Sequence, residues 1–297
     1  MSAQSPESVG PRAVRAGVVG SPVEHSLSPV LHGAAYTALG LHDWSYQRIE
    51  RDAEGLRELV GELGPDWRGL SVTMPGKHAA LELASESSER AVAVGAANTL
   101  VRHPEGGWYA DCTDVDGVSG ALRGAGGFRV GGAPEAGTGL VLGAGGTALA
   151  VLAAFAELGV RTVTLAVRDP ARAEAALATA ERVGVRAEAR ALGSLDLAEA
   201  AAAADVVVST LPAGAVDGHA RELAKAGCVL DVVYHPWPTP LAEAVHAVGG
   251  RLATGLDMLL HQSFGQVELF TGVSAPRVAM RDALSEATGG GVPLPLR

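Results

Sequence analysis

Cysteine is nearly absent from this chain: Cys112 and Cys228 are the only two, and they lie far apart. They allow no disulfide framework and no Cys/His spacing of the metal-binding kind, so no metal is expected. Such usage points to a reducing compartment. Aromatic residues are also scarce, at 4%, which argues against the stacking platforms of single-strand nucleic-acid binders. Positive charge is in deficit. The net charge is −10, with no run of Lys or Arg, and such a chain does not attract a phosphate backbone. The segment Met1 to Arg12 contains Glu7 and has no apolar run. It does not read as a signal peptide, and a cytoplasmic protein is expected. One further absence points the other way. No charged residue occurs from Ala136 to Ala156, a stretch long enough to cross a bilayer.

What is present argues for a packed, two-domain protein. Hydrophobic residues make up 47% and charged residues 19% of 297, enough for a full core. At roughly 150 residues per domain, two domains are expected. After a loose tail, Ala13 to Val19 reads as a strand, and Ser28-Pro29 as a helix N-cap with Pro in the first turn. That helix stops at Gly40. Trp44 to Ile49 alternates like a strand, Asp52 caps a second helix, and Gly69 to Met74 is a further strand. This alternation predicts an α/β domain with a mainly parallel sheet. The Gly-rich segment Arg123 to Gly139 reads as a linker. A second alternating series follows, with strands at Leu140–Leu142, Thr162–Val167, Val206–Val208 and Val229–Val233. Leu256 to Phe270 is a long amphipathic helix, and Gly289 to Arg297 reads as a frayed tail.

The uncharged stretch resolves into Gly143-Ala144-Gly145-Gly146-Thr147-Ala148, with a strand before it and a helix after it. Glycines at these positions break a membrane helix and match a dinucleotide-binding turn. Gly143 permits the tight turn, Gly145 lets backbone approach a pyrophosphate, and Ala148 lets helix and strand pack closely. The anion then sits on a helix N-terminus. The next strand ends at Arg168, where NAD-binding sites carry an acid, and Arg172 follows. Guanidinium groups suit a 2′-phosphate, which favours NADP. Asp169-Pro170 between them reads as a helix cap.

Four polar segments in the first half exceed what a plain α/β domain needs: Ser26-Leu27-Ser28-Pro29, Ser71 to Lys77, Asn98-Thr99 and Asp111 to Asp114. Lys77 lies just beyond a strand end, where α/β active sites form. Together these segments resemble the shikimate dehydrogenase family over nearly the whole chain. Ser26 and Ser28 match the family's carboxylate-binding Ser-x-Ser. Val72-Thr73-Met74-Pro75-Gly76-Lys77 resembles its catalytic-lysine motif, Gly95 to Thr99 its Gly-Ala-x-Asn-Thr, and Cys112-Thr113-Asp114 its Asn-Thr-Asp. Asp231 to Tyr234 and Gly255 to Gln262 resemble its last two site segments. The sequence departs from the family pattern at Ser71 and Cys112, each in place of Asn, and at Val167 and Asp169 beside Arg168. Val115-Asp116 separates Asp114 from Gly117, where the common pattern has Gly next.

The resemblance implies two α/β domains around a cleft. A substrate domain would span 1–118 and recover the helices of 256–297, and a Rossmann-type cofactor domain would span 119–255. It implies reversible reduction of 3-dehydroshikimate to shikimate by NADPH, with Lys77 and Asp114 catalytic. Ser26, Ser28, Thr73, Asn98, Tyr234 and Gln262 would hold the substrate. Gly143, Ala144, Gly145, Gly146, Thr147, Ala148, Arg168 and Arg172 would hold the cofactor, with backbone at Gly255 and Met258 against the nicotinamide. A small-molecule substrate, no nucleic acid, no membrane, and a monomer or homodimer are expected. Three alternatives stay open: an NAD-using quinate/shikimate dehydrogenase, an amino-shikimate paralogue, and a non-catalytic NADP(H)-binding regulator.

Overall fold

The computed structural model describes residues 13–129 and 137–296. The expected N-terminal tail and the centre of the expected linker lie outside the described residues. The first series of elements is β1 (Val14–Gly20), α1 (Ser28–Ala38), β2 (Trp44–Glu50), α2 (Ala53–Glu62) and β3 (Trp67–Val72), then α3 (Lys77–Leu83), β4 (Glu86–Ser87), α4 (Glu89–Val94), β5 (Thr99–Arg102), β6 (Trp108–Asp111) and α5 (Asp114–Gly124). The strands form a sheet in the order β2-β1-β3-β5-β6-β4. It is parallel across β2, β1 and β3, as the alternation predicts. A short loop joins β5 to β6, and a loop that short can link only antiparallel strands. Among the described strands β5 is the reversed one: its pairs with β3 and β6 are antiparallel, while β4 pairs parallel with β6, so this sheet is mainly parallel, as expected, with one antiparallel strand.

Asp52 caps α2 as expected, accepting from the Gly55 N–H at 2.9 Å. Ser28 does not cap α1. Leu27 holds the cap position without a side-chain bond, and Ser28 is already helical, leaving its hydroxyl for other partners.

The second series is β7 (Gly137–Leu142), α6 (Gly146–Leu158), β8 (Val160–Val167), α7 (Glu174–Arg182), β9 (Arg186–Ala191), α8 (Leu197–Ala203), β10 (Val206–Ser209), α9 (Ala220–Leu223), β11 (Val229–Asp231), α10 (Pro240–Ala247) and β12 (Leu252–Thr254). Its sheet order is β12-β11-β10-β7-β8-β9, parallel throughout. This is the doubly wound order with a reversal between β7 and β10, and ligands of such sheets bind in the crevice beyond that point. The central strands β7, β10 and β11 are short, buried and mostly apolar because helices cover both faces, whereas the edge strand β9 carries Arg186, Glu188 and Arg190.

The chain then returns. The helix α11 (Gly255–Thr271) begins with a capping box between Thr254 and Asp257 and packs on α5, β3 and α1; α12 (Arg277–Ala287) packs on α1. Glycine makes the α5–α11 contact possible. A Cβ at Gly117 would lie 2.8 Å from the Met258 carbonyl oxygen, and one at Gly120 would lie 2.3 Å from the His261 ring. Within the described residues, part of the expected frayed tail is packed against the fold instead. Val292 and Leu294 are buried and join the core of Leu256, Leu260 and Phe264, because their apolar surface gains by leaving water.

Candidate active site

Lys77 is the first residue of α3, immediately past the turn that follows β3, and Asp114 is the first residue of α5, just past β6. Both are therefore presented where strands end and helices begin. Their side chains form an ion pair with 14% and 5% of side-chain surface exposed. Asn98, immediately before β5, orients the acid. Its Nδ2 donates to Asp114 Oδ1 at 2.9 Å and to Gln262 Oε1 at 2.8 Å. Its Oδ1 accepts from Thr113 N at 2.8 Å and Thr99 Oγ1 at 2.9 Å. With every donor and acceptor used, the amide can face the acid in one direction only.

Beneath this pair lies a second polar layer that the sequence reading missed. Gln266 Oε1 accepts from Ser71 Oγ at 2.8 Å, and its Nε2 donates to Thr99 Oγ1 at 3.2 Å and to the Asn98 carbonyl at 3.3 Å. Tyr46 Oη donates to Ser71 Oγ at 2.6 Å. His32 is fully buried, lies 3.3 Å from Gln266 Oε1 and stacks on Tyr46. Burial drives its pKa down to about 3, against the opposing bond to Gln266, so the imidazole is neutral. One signal was available: Gln266 follows Gln262 by four residues, which places both on one helix face. Nothing local in the sequence marks His32 or Tyr46. The departure at Cys112 has a packing reason. Its side chain belongs to the apolar core, and burial pushes the thiol far above its usual range.

The ion pair, with Ser71 and Gln266 of the second layer, borders one cleft of about 290 Å³. Ser26, Ser28 and Tyr234 line it, as do Thr73, Lys77, Asn98, Asp114 and Gln262. Thr147 of α6 and Gly255 and Met258 of α11 line it as well. The structure thus brings together all the residues expected to hold substrate. The Arg48 guanidinium donates twice to the Ser26 carbonyl, at 2.9 and 2.6 Å, which fixes the loop carrying the two serine hydroxyls.

A neighbouring cavity of about 160 Å³ joins Lys77 and Thr73 to Gly145, Gly146, Thr147 and Thr210. Gly143 has φ 107°, a left-handed conformation that favours glycine, and a Cβ there would lie 2.5 Å from Thr210 Oγ1. A Cβ at Gly145 would meet no protein atom within 4 Å. Gly145 caps α6 without a side-chain bond, and Gly145, Gly146 and Thr147 border the cavity, so the helix start has no side-chain cap to compete with an anion. Ala144 forms the turn and buried Ala148 packs α6 onto the sheet. Arg168 and Arg172 are exposed beyond the end of β8 and border neither cavity. Asp169 Oδ1 accepts from the Ala171 N–H at 3.0 Å, so it caps the following turn as expected. Among the described residues, no helix is long and apolar enough to cross a membrane.

Comparison with known proteins agrees with this geometry. Residues 18–100 match the family model of the shikimate dehydrogenase substrate binding domain, and residues 255–284 that of the shikimate 5′-dehydrogenase C-terminal domain. The chain is 40% identical over 284 residues to shikimate dehydrogenase (NADP(+)) of Methylobacterium radiotolerans, covering 91% of this chain and 96% of that protein. The crystal structure of Mycobacterium tuberculosis shikimate dehydrogenase superposes with a TM-score of 0.84 at 53% identity, covering 92% and 99% of the two chains. Shikimate 5-dehydrogenase of Thermus thermophilus in complex with NADP(H) and shikimate gives 0.77 at 34% identity, covering 92% and 99%. On this agreement of sequence, fold and cleft, the chain belongs to the shikimate dehydrogenase family.

Proposed function

We infer that the protein is an NADP-dependent shikimate dehydrogenase that reversibly reduces 3-dehydroshikimate to shikimate. The observation that carries this reading is the ion pair of Lys77 and Asp114, buried where a polar cleft meets a dinucleotide-type turn. The relatives bearing that activity in their names share the chain nearly end to end, and one holds NADP(H) and shikimate.

The residues present fit the cofactor. The uncapped N-terminus of α6 and the bare Gly145 form a cradle for a pyrophosphate. Arg168 and Arg172 suit a 2′-phosphate, and Asp169 is turned to its own cap. NADPH supplies the hydride when bound. Lys77 Nζ donates to the ring carbonyl oxygen, stabilises the negative charge that develops there, and passes it a proton. Asp114 holds Lys77 in place, and Asn98 holds Asp114. Ser26 and Ser28 bind the substrate carboxylate beside Tyr234; Thr73, Asn98 and Gln262 read the ring hydroxyls. Holding a small substrate at this many points brings it to reacting distance.

In this reading the described residues within 1–118 and 256–297 form the substrate lobe and those within 119–255 the cofactor lobe, with the chain changing lobe along α5. The enzyme works in the cytoplasm as a monomer or homodimer. The test is an absorbance assay of NADPH and NADH oxidation with 3-dehydroshikimate, 3-dehydroquinate and the amino analogue. Preferred turnover of NADPH with 3-dehydroshikimate is expected. Preference for NADH with 3-dehydroquinate points to a quinate dehydrogenase, and no turnover with any substrate overturns the enzymatic reading.

A further inference from the structure

Arg90 lies outside the cleft yet joins the two segments that carry Asn98 and Asp114. It stands on α4, whose end leads through Gly95-Ala96-Ala97 into Asn98. Its Nη2 and Nε donate to the two oxygens of Asp111 at 2.6 and 3.2 Å, and its Nη1 donates to Asp116 Oδ2 at 2.8 Å. Asp111 ends β6 and Asp116 sits in the first turn of α5, so these two acids bracket Asp114 in sequence. Asp111 Oδ1 also accepts from Ser88 Oγ at 2.6 Å and from the Cys112 N–H at 2.8 Å. One forked guanidinium therefore grips both sides of the turn that presents Asp114.

The charges around the turn give Arg90 a second role. Asp111, Asp114 and Asp116 crowd one strand end and one helical turn, and Glu268 of α11 adds to the negative field at Asp116. Lys77 is engaged by Asp114. Arg90 is the cation that offsets Asp111 and Asp116. Without it, uncompensated carboxylates would favour every protonated form nearby.

We propose that Arg90 is a positioning residue for the Lys77–Asp114 pair, clamping the Asn98 and Asp114 segments together and cancelling the field of Asp111 and Asp116. This rests on the reading of Lys77 and Asp114 as the proton-handling pair. Removing the guanidinium changes the charge around the proton-handling pair, so the consequence appears in the pH profile of the reaction.

The experiment compares pH profiles of kcat/KM with 3-dehydroshikimate for the unsubstituted enzyme, Arg90→Met, Arg90→Lys, Asp116→Asn and the double variant Arg90→Met with Asp116→Asn. Arg90→Met is expected to move the profile to higher pH by about half a unit or more and to lower kcat roughly tenfold, with KM for NADPH unchanged. Arg90→Lys keeps the charge and loses the fork, so it falls between the two. Adding Asp116→Asn to Arg90→Met returns the profile toward its starting position, which a merely structural role would not do. An unshifted profile in Arg90→Met, or no return in the double variant, overturns the proposal. If Arg90→Met does not fold, Asp116→Asn alone decides: a shift to lower pH supports the proposal, and an unmoved profile overturns it. An unsubstituted enzyme inactive toward 3-dehydroshikimate removes the functional reading itself, an outcome separate from an active enzyme with unmoved profiles.

Discussion

Asn98 donates to Asp114 Oδ1 at 2.9 Å while its own carbonyl oxygen is held by Thr113 and Thr99. The acid that pairs with Lys77 is therefore aimed by an amide that has no freedom to flip. The geometry of this pair is inherited from three separate places in the chain: α3, α5 and the residue just before β5.

Lys77→Ala and Asp114→Ala are each expected to lower turnover by roughly 10²–10⁴, while cofactor binding changes little. Steady-state kinetics beside a fluorescence titration with NADPH separates the two effects. Near-normal turnover in both purified variants would sink the assignment of these residues.

Arg168→Ala is expected to weaken NADPH much more than NADH, because the proposed partner of the guanidinium is a 2′-phosphate that NADH lacks. The comparison needs dissociation constants for both cofactors at one salt concentration, since an exposed ion pair is screened by salt. Equal losses for the two cofactors count against the 2′-phosphate role.

His32 ties the buried layer to acid stability. Its folded pKa is about 3, against 6.5 for the free group, so below pH 6.5 the unfolded chain binds a proton that the folded protein refuses. The contribution is fully present above pH 6.5 and is lost as pH falls toward 3, costing about 2 kcal/mol by pH 5. Asp257 works with opposite sign, because burial raises its carboxyl to about 6 and the folded state gains its proton first. Urea unfolding at pH 5 and pH 7.5 resolves the two. In His32→Leu the stability difference between these pH values should change by about 2 kcal/mol in the direction of less acid loss, whatever the variant's absolute stability. An unchanged difference would show that His32 does not titrate as its burial requires.

Gly120→Ala tests the seam between α5 and α11. The added Cβ would lie 2.3 Å from the His261 ring, so a helix or the ring must move. A loss of roughly 1–3 kcal/mol is expected, read as a lower melting temperature. A variant as stable as the parent would mean that the two helices are less closely apposed than described.

The amino-acid sequence by itself determined the local pieces. Gly143 to Ala148 could be read as a turn because glycine, small residues and flanking apolar runs act within a few residues of chain. Asp52 and Asp169 were legible as caps for the same reason, since each bonds an N–H two or three residues away. Lys77, Asp114, Asn98 and Gln262 were legible because their motifs resemble those of a family, not because spacing alone placed them together. The tertiary structure decided what depends on distant partners. It took Ser28 from a cap to a cleft wall, drew Val292 and Leu294 into the core, and set Gln266 on Ser71 across 195 residues. Hydrogen bonds and desolvation act over a few ångströms in space, and sequence separation carries no record of which distant groups meet.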